Sequence, residues 1–513
     1  MTKVVIFDRD FSSLINPPLE FTVEDYSRSV LGGALSATIT AAGDQMALFE
    51  LAELVRAPIE IYDEHDGFIW AGFIRRVRIN YGGVQVGIDI NSMSNNIAVA
   101  FTDGLLRFTT EYSENTASSD EYGQKDAMLS RSNITEADAL QYRDTQLQQL
   151  RYPTPTIRSG RNRGISATID CEGWLDTLSW RRYQNLSGLE SYEAIGATVG
   201  REIGEDDRPI FAQAFQLSSA AGWTTDKIWI RVYKVGSPVD NFKLNLYSDS
   251  GGSPNASLAS ATLAGASVPE QATWTEFSLS VSVALSTSTT YWIHCDRSGA
   301  VDLNNYYVVG TNIESGYLLG APKYYNTNLS AWVDAAHKGD LNFRVMGGSE
   351  TTAQIATLVS GAGEFLTGSS IVDASGVVSN QYRAGDNSAL YELLRLLETG
   401  STNNRRMLCE VTRGRILRIF EEAAPPTASQ TVHGLNAKGE LISPYGQKVP
   451  ASECIVGVWC RLVDVIPASV DLSKLSDPAL FFIEESSYNA KRGIYSVLRA
   501  RNQLDVFDIG GVK

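Results

Sequence analysis

Apolar and polar residues alternate with a period of two along most of this chain, and three stretches change to a period near 3.6. The first stretch is 46–55, where Leu48, Leu51, Ala52 and Val55 fall at i, i+3, i+4 and i+7. Asp44 is placed to cap it and Pro58 to stop it, so the pattern predicts one amphipathic helix. Strands should follow: Ile59-Glu60-Ile61-Tyr62, a turn at Asp66-Gly67, and a run from Phe68 in which Val77, Ile79 and Tyr81 alternate with Arg76, Arg78 and Asn80. Tyr81-Gly82-Gly83 turns the chain into Val84, Val86, Ile88 and Ile90. Residues 1–105 therefore read as an antiparallel sheet or barrel with a helix against it.

A second helix should start at Thr135, where Thr135 and Asp138 form a capping-box variant, and run past Leu140, Leu147 and Leu150 to Pro153. A strand over Ala167–Cys171 then leads through Gly173-Trp174 into Leu178–Tyr183. The third helix is expected at 388–398, with Leu390, Leu393, Leu394 and Leu397 on one face, Asp386 or Asn387 as cap and Gly400 beyond its end. A hairpin from Met407–Val411 to Ile416–Ile419 turns at Arg413-Gly414. Both outer pieces thus run helix, then hairpin. Ala47-Leu48-Phe49-Glu50-Leu51 and Ala389-Leu390-Tyr391-Glu392-Leu393 differ at one letter, which points to an internal duplication.

Between the outer pieces the style changes. From about 208 to 347 the chain is rich in Ser, Thr, Ala and Gly, with short aromatic strands such as Lys227–Tyr233 and Lys243–Tyr247 and a turn through Asp249–Asn255. Helical periodicity is absent, so the segment reads as an all-β sandwich. The expected division is 1–105, a helper α+β part over 106–195, the sandwich over 196–348, a second barrel beginning at 349–424, and a β-rich C-terminal part over 425–513.

Composition narrows the function. The 513 residues carry 43 basic and 59 acidic side chains, a net charge of −16, with no basic run to displace counterions from a nucleic acid. The first residues hold too short an apolar stretch for a secretory signal, and nowhere is there an apolar run long enough to span a bilayer. Synthesis in a cytoplasm is the expectation. The five cysteines (Cys171, Cys295, Cys409, Cys454, Cys460) lack metal or redox spacing and read as buried thiols, and the four histidines show no ligand pairing.

The outer segments resemble the tube-like hub proteins of long-tailed bacteriophage tails. The matching stretches are Gly33–Thr40, Pro58–Asp63, Trp70–Ile74 with Val77, Asn95–Val99, Gly173-Trp174 with Thr177–Arg181, and Gly457–Leu462, within about 1–185 and 350–513. The middle segment resembles lectin-like or carbohydrate-module jelly rolls at Ala212–Phe215, Tyr291–Ile293 and Asp340–Val345. These resemblances imply a mainly β, β-rich α+β fold: two tube-like β-barrel domains, each with a packed helix, plus an inserted jelly-roll-like β-sandwich. They imply a structural virion protein rather than an enzyme, a tail-tip or baseplate hub joining the tail tube to the tip and lining the DNA channel. Its partners would be further copies of itself, tail tube and distal tail proteins, tip or fibre proteins, the tape measure protein, genome DNA in transit and host surface glycans. Two tube-like domains per chain would let a homotrimer fill six positions around a tail axis. A hexameric distal tail protein with an appended sandwich, or a tail-associated glycan hydrolase, are the alternatives.

Candidate chemistry is thin. Gly363–Ser370 has P-loop glycine spacing, but Ser369 stands where the phosphate-binding lysine belongs. Asp249-Ser250-Gly251-Gly252 echoes a serine-protease stretch but reads as a turn. The carboxylate clusters Glu205-Asp206-Asp207, Glu421-Glu422 and Glu484-Glu485 read as loops and strand ends. No cofactor or metal is expected. Sugar faces stack on exposed rings, so the candidate glycan-binding residues are Trp223, Trp274, Tyr306, Tyr307, Tyr317, Tyr325 and Trp332, with Tyr324 beside them.

Overall fold

A computed structural model describes residues 2–104, 106–159, 164–193, 198–204, 208–312, 316–335, 339–371, 377–426, 430–436, 438, 440–463 and 480–502. The chain is mainly β, with several sheets and a half-barrel. It divides into two compact units, Met1–Tyr183 with Ile355–Ser375 and Asn387–Lys513, and Gln184–Gln354 with Gly376–Asp386.

In the first unit the strands Lys3–Phe7, Pro58–Tyr62, Phe68–Tyr81, Ser166–Gly173, Leu31–Gly43 and Leu19–Ser29 follow one another in antiparallel register and form the half-barrel. Val84–Asp89 and then Thr156–Ser159 extend it from the far half of Phe68–Tyr81. The turn at Gly82-Gly83 needs positive φ at both residues, found at 56° and 93°, which only glycine adopts without strain. Alternation then assigns the faces: Val77 and Ile79 are buried, and Arg76 and Arg78 point away from the core.

The helix Gln45–Glu50, continued by a 3-10 turn over Leu51–Leu54, is capped by Asp44, whose carboxylate accepts from Ala47 N at 3.1 Å. Glu136–Leu150 carries the expected capping box at Thr135 and Asp138. In Ala389–Glu398 the cap is Ser388, accepting from Tyr391 N at 3.3 Å. Asn387 instead donates to Glu392 Oε1 at 2.8 Å, so the expected cap shifts by one residue. Thr116–Tyr122 and Thr351–Ala362 are helices that the apolar pattern did not announce.

The outer segments were expected as two barrels, and they share one core. Leu48 and Leu51 lie in the same buried cluster as Leu393, Leu396 and Leu397. Among the described residues the later segment adds Gly368–Ile371, Met407–Val411 and Ile416–Glu421, and Cys409 pairs in parallel with Leu31. Leu480–Asn489 joins Leu19–Ser29, with Tyr26 opposite Tyr488. Phe73, Trp174, Trp180 and Phe365 interlock at 5.3–6.0 Å, and burying a ring of this size contributes roughly 2–3 kcal/mol.

The second unit is a sandwich. Among the described residues, one sheet has seven strands centred on Trp223–Val235 and the other has six in the order Pro254–Ala264, Asn241–Asp249, Tyr291–Arg297, Ile210–Phe215, Pro322–Asn326, Ala331–Asp334. Phe211, Leu244, Ile293, Ile228, Ile230 and Phe343 fill the space between them. The unit reaches outside 196–348 because Leu189–Tyr192 and Val378–Asn380 both pair with Phe343–Glu350. All five cysteines are buried and unpaired.

Candidate functional site

Because side chains alternate across a strand, the six-stranded sheet that buries Leu244, Ile293 and Phe211 on its inner face presents a second set outward. Register orders that set into rows. Asn245, His294, Ala212, Lys323 and Asp334 form one; Tyr247, Trp292 and Ala214 form the next. On the other side lie Lys243, Asp296, Ile210, Tyr325 and Trp332. The middle strand thus supplies a floor of small residues, Ala212 and Ala214, between two ring-bearing flanks.

Side chains close over this outer face. Ala331–Asp334 lies three strands from Tyr291–Arg297, about 14 Å at ordinary strand spacing. Yet the Trp332 and His294 rings approach to 5.7 Å, edge to face. Lys323 Nζ likewise reaches Ser253 Oγ at 3.3 Å across the face. Both contacts bring side chains together over this face. Ala212, Ala214 and Trp292 form a small buried cluster with Tyr247 and Trp332 packed on it. Tyr247 stacks on His294 at 4.7 Å, and Tyr325 meets Trp332 at 5.6 Å.

Polar groups hold the rings in place. Trp292 Nε1 donates to Asp249 Oδ1 at 2.8 Å, and the Asn245 side-chain amide lies 3.4 Å from His294 Nδ1. Burial pushes His294 down to about 4, so its ring is neutral at ordinary pH. Lys323 pairs with Asp334 at 3.3 Å, and burial raises the Asp296 carboxyl against the pull of Lys243.

Of the rings singled out in the sequence, Tyr325 and Trp332 belong to this face. Trp223 and Tyr307 are core residues, 4% and 0% exposed, and no sugar can stack on them. Tyr307 donates to Asp240 O at 2.6 Å. Tyr317 is half-buried and donates to Glu190 at 2.9 Å, and Tyr324 packs against the core. Tyr306 and Trp274 lie on the seven-stranded sheet, where Trp274 stands between the guanidinium groups of Arg231 and Arg344 at 5.3 and 4.4 Å. Tyr247, Trp292 and His294 were missed, although Lys243, Asn245 and Tyr247 alternate cleanly with Leu244 and Leu246.

The half-barrel has a different exposed surface. A bulge pairs Ile74 with Cys171 and Arg76 with Asp170, leaving Arg75 extra, so that adjacent arginines reach the same face. Arg76 and Arg78 grip Asp170 at 2.6 and 2.8 Å, and Arg75 grips Glu172 at 2.7 Å. Burial, reinforced by Asp176, pushes Glu172 up to about 7 despite Arg75. The charges of the ladder are paired with one another.

The remaining candidates are structural. Asp249–Gly252 is a hairpin turn, and in Gly363–Ser370 the Glu364 carboxylate accepts from Gln124 N at 2.9 Å. Glu422 and Glu484 are buried against Arg501, Arg406 and Arg499, and Glu205-Asp206-Asp207 lies outside the described residues. A hollow of about 210 Å³ among Leu441, Val449, Ile455 and Tyr495 is smaller than an ordinary ligand pocket. Among the described residues no cluster suits a metal, and no helix is long and apolar enough to cross a membrane.

No protein-family model and no curated protein sequence matches the chain. Solved structures to which it bears some likeness include two Bacillus thuringiensis toxins. The mosquito-larvicidal Cry4Aa toxin is 10% identical at a TM-score of 0.17, over 60% of this chain and 56% of the toxin. A Cry1Da tryptic core variant is 9% identical at a TM-score of 0.15, over 59% of this chain and 53% of the toxin. The chain thus spans just over half the length of each, and at these scores the likeness carries no argument about fold or activity.

Proposed function

We propose that this chain is a structural, non-catalytic subunit of a phage tail tip. Copies of its half-barrel would ring the tail axis, and its sandwich would be the ligand-facing module. The observation that carries this reading is the half-barrel's last strand. Thr156–Ser159 pairs only with Val84–Asp89 among the described residues, and every one of its four residues is exposed. Ile157 is 74% exposed, with Tyr81 and Val84 exposed on the adjoining hairpin. A sheet that stops at an unpaired strand leaves backbone N–H and C=O groups that another strand can cover, and ring closure by further copies does so.

The net charge of −16 supports a channel wall that lets DNA pass without holding it. The assembly implied by the resemblance is a homotrimer, meeting tail tube, distal tail, tip or fibre and tape measure proteins in the virion, and its count of six positions needs two barrels per chain. The core shared by the two outer segments favours a second reading, a hexameric distal tail protein with one half-barrel per chain. Mass photometry of the purified chain, alone and with Ile157→Lys, tests the ring. Three copies that fall to monomers in the variant support the hub, six support the distal tail protein, and a monomer at all concentrations overturns both. Electron microscopy of tails carrying a labelled chain would then locate it.

A further inference from the structure

Lys125 lies between the helix Thr116–Tyr122 and the strand Asp126–Arg131, and its side chain is largely buried. Its Nζ donates to Ile90 O and to Asn91 Oδ1, both at 3.1 Å, and stands 5.4 Å from the centre of the buried Trp180 ring. We propose that Lys125 and Asn91 are the two halves of a self-formed isopeptide cross-link, in which the lysine amine takes the place of the ammonia of the asparagine amide. The inference goes beyond the tail-tip reading and stands independently of it.

Such a reaction needs a held contact and a free amine. The backbone holds the contact from both sides. Lys125 N donates to Asn95 Oδ1 at 2.7 Å, and Asn95 N and Asn96 N donate to Lys125 O at 3.1 and 3.2 Å. Asn91 N donates to Asp89 Oδ1 at 2.9 Å, which fixes the short turn that carries the amide. Groups held this close react as though at very high concentration. Burial supplies the free amine, pulling Lys125 down to about 8 against the opposing pull of Asp176, Asp89 and Glu172. At pH 7.5 about a quarter of it is then uncharged, against about one in a thousand for an ordinary lysine.

In the step itself the uncharged Nζ adds to Asn91 Cγ, the bond from Cγ to Nδ2 breaks, and Nδ2 leaves as ammonia. The proton shed by Nζ passes to Asp176, the carboxylate that acts most strongly on Lys125, and from there to the departing nitrogen. One amide replaces another, so no oxidant or reductant is consumed. Asn91 is exposed, and the ammonia escapes to water. The bond ties together the entries to Asn96–Asp103 and Asp126–Arg131, which pair in parallel from Asn96 opposite Asp126. Closing that loop covalently removes freedom from the unfolded chain, as a disulfide would.

The test is intact-mass spectrometry of the purified full chain held at pH 7.5, followed by peptide mapping. The expected mass is that of the sequence less one ammonia, with a branched peptide joining Asn91 to Lys125. Asn91→Ala, which alters only an exposed side chain, and Lys125→Arg should each restore the full mass. Asp176→Asn should slow the loss by about 100-fold, the scale of one positioned proton acceptor. Near-UV circular dichroism verifies that each variant folds, and Asn91→Ala decides the matter if the other two do not. Full mass in the folded parent chain, ammonia lost from other residues, or a loss that persists in Asn91→Ala would each overturn the proposal. An unslowed Asp176→Asn would overturn that residue's share in the step.

Discussion

The half-barrel and the six-stranded sheet of the sandwich each bury one face and leave the other outside their main core, and they furnish that other face in opposite ways. On the half-barrel, Arg75, Arg76 and Arg78 close on Asp170 and Glu172, so the charges are paired with one another. On the sandwich, rings lie over alanines and the charges are pushed to the margin. A self-paired ion ladder leaves little for a ligand to gain, because breaking it costs about as much as a new contact returns. A half-covered aromatic strip keeps apolar area that a ligand can still take from water. Burial alone therefore does not mark a site; the distinguishing property is whether the exposed face is already satisfied.

The largest effect should come from His294. Its folded value near 4 lies below the ordinary 6.5 of an unfolded histidine, so its contribution is complete above pH 6.5 and is lost as pH falls through 4. The sandwich should lose about 3 kcal/mol by this route, and His294→Phe, which keeps the ring but cannot take a proton, should remove that dependence. Urea denaturation at pH 7.5 and 4 would show it. Equal acid sensitivity in both proteins would mean that the aromatic face is not closed to water as described.

Next comes Asp170→Ala, which strands Arg76 and Arg78 together. Full burial of such a break would cost more, but the arginines are about a third exposed, so about 2 kcal/mol is expected by chemical denaturation. A loss below about 0.5 kcal/mol, the level of an ordinary surface change, would remove the contrast between the two faces.

Glu172 acts with the opposite sign to His294. Its folded value near 7 lies above the usual 4.5, so its contribution is complete below pH 4.5 and is lost as pH rises through 7. After allowance for solvent screening, Glu172→Gln should gain about 1 kcal/mol on the native protein between pH 4.5 and 8. A flat difference across that range in thermal melts would show that Arg75 alone governs the carboxylate. The smallest effect on stability is expected from Ile157→Lys, within about 0.5 kcal/mol on the free edge, while assembly changes completely.

Much of the fold was legible locally. Asp44, Thr135 and the Gly82-Gly83 turn announced their elements because caps and tight turns depend on neighbouring residues. The matched pentapeptides show where letters stop short. Ala47 is the third residue of its helix and Ala389 the first of its own, so Glu50 is exposed where Glu392 is buried. Thr351–Ala362 escaped because its small residues carry little amphipathic contrast.

The sequence by itself determined the β-rich character and the change of style between the outer segments and the sandwich, because alternation, caps and turn residues act over a few positions. Tertiary structure alone decided that the outer segments share one core and that Tyr247, Trp292 and His294 join Trp332 over Ala212 and Ala214. The physical reason is register. Which side chains become neighbours across five strands depends on hydrogen-bond pairing between residues as far apart as Asn245 and Trp332, and a slip of one position would turn every ring into the core.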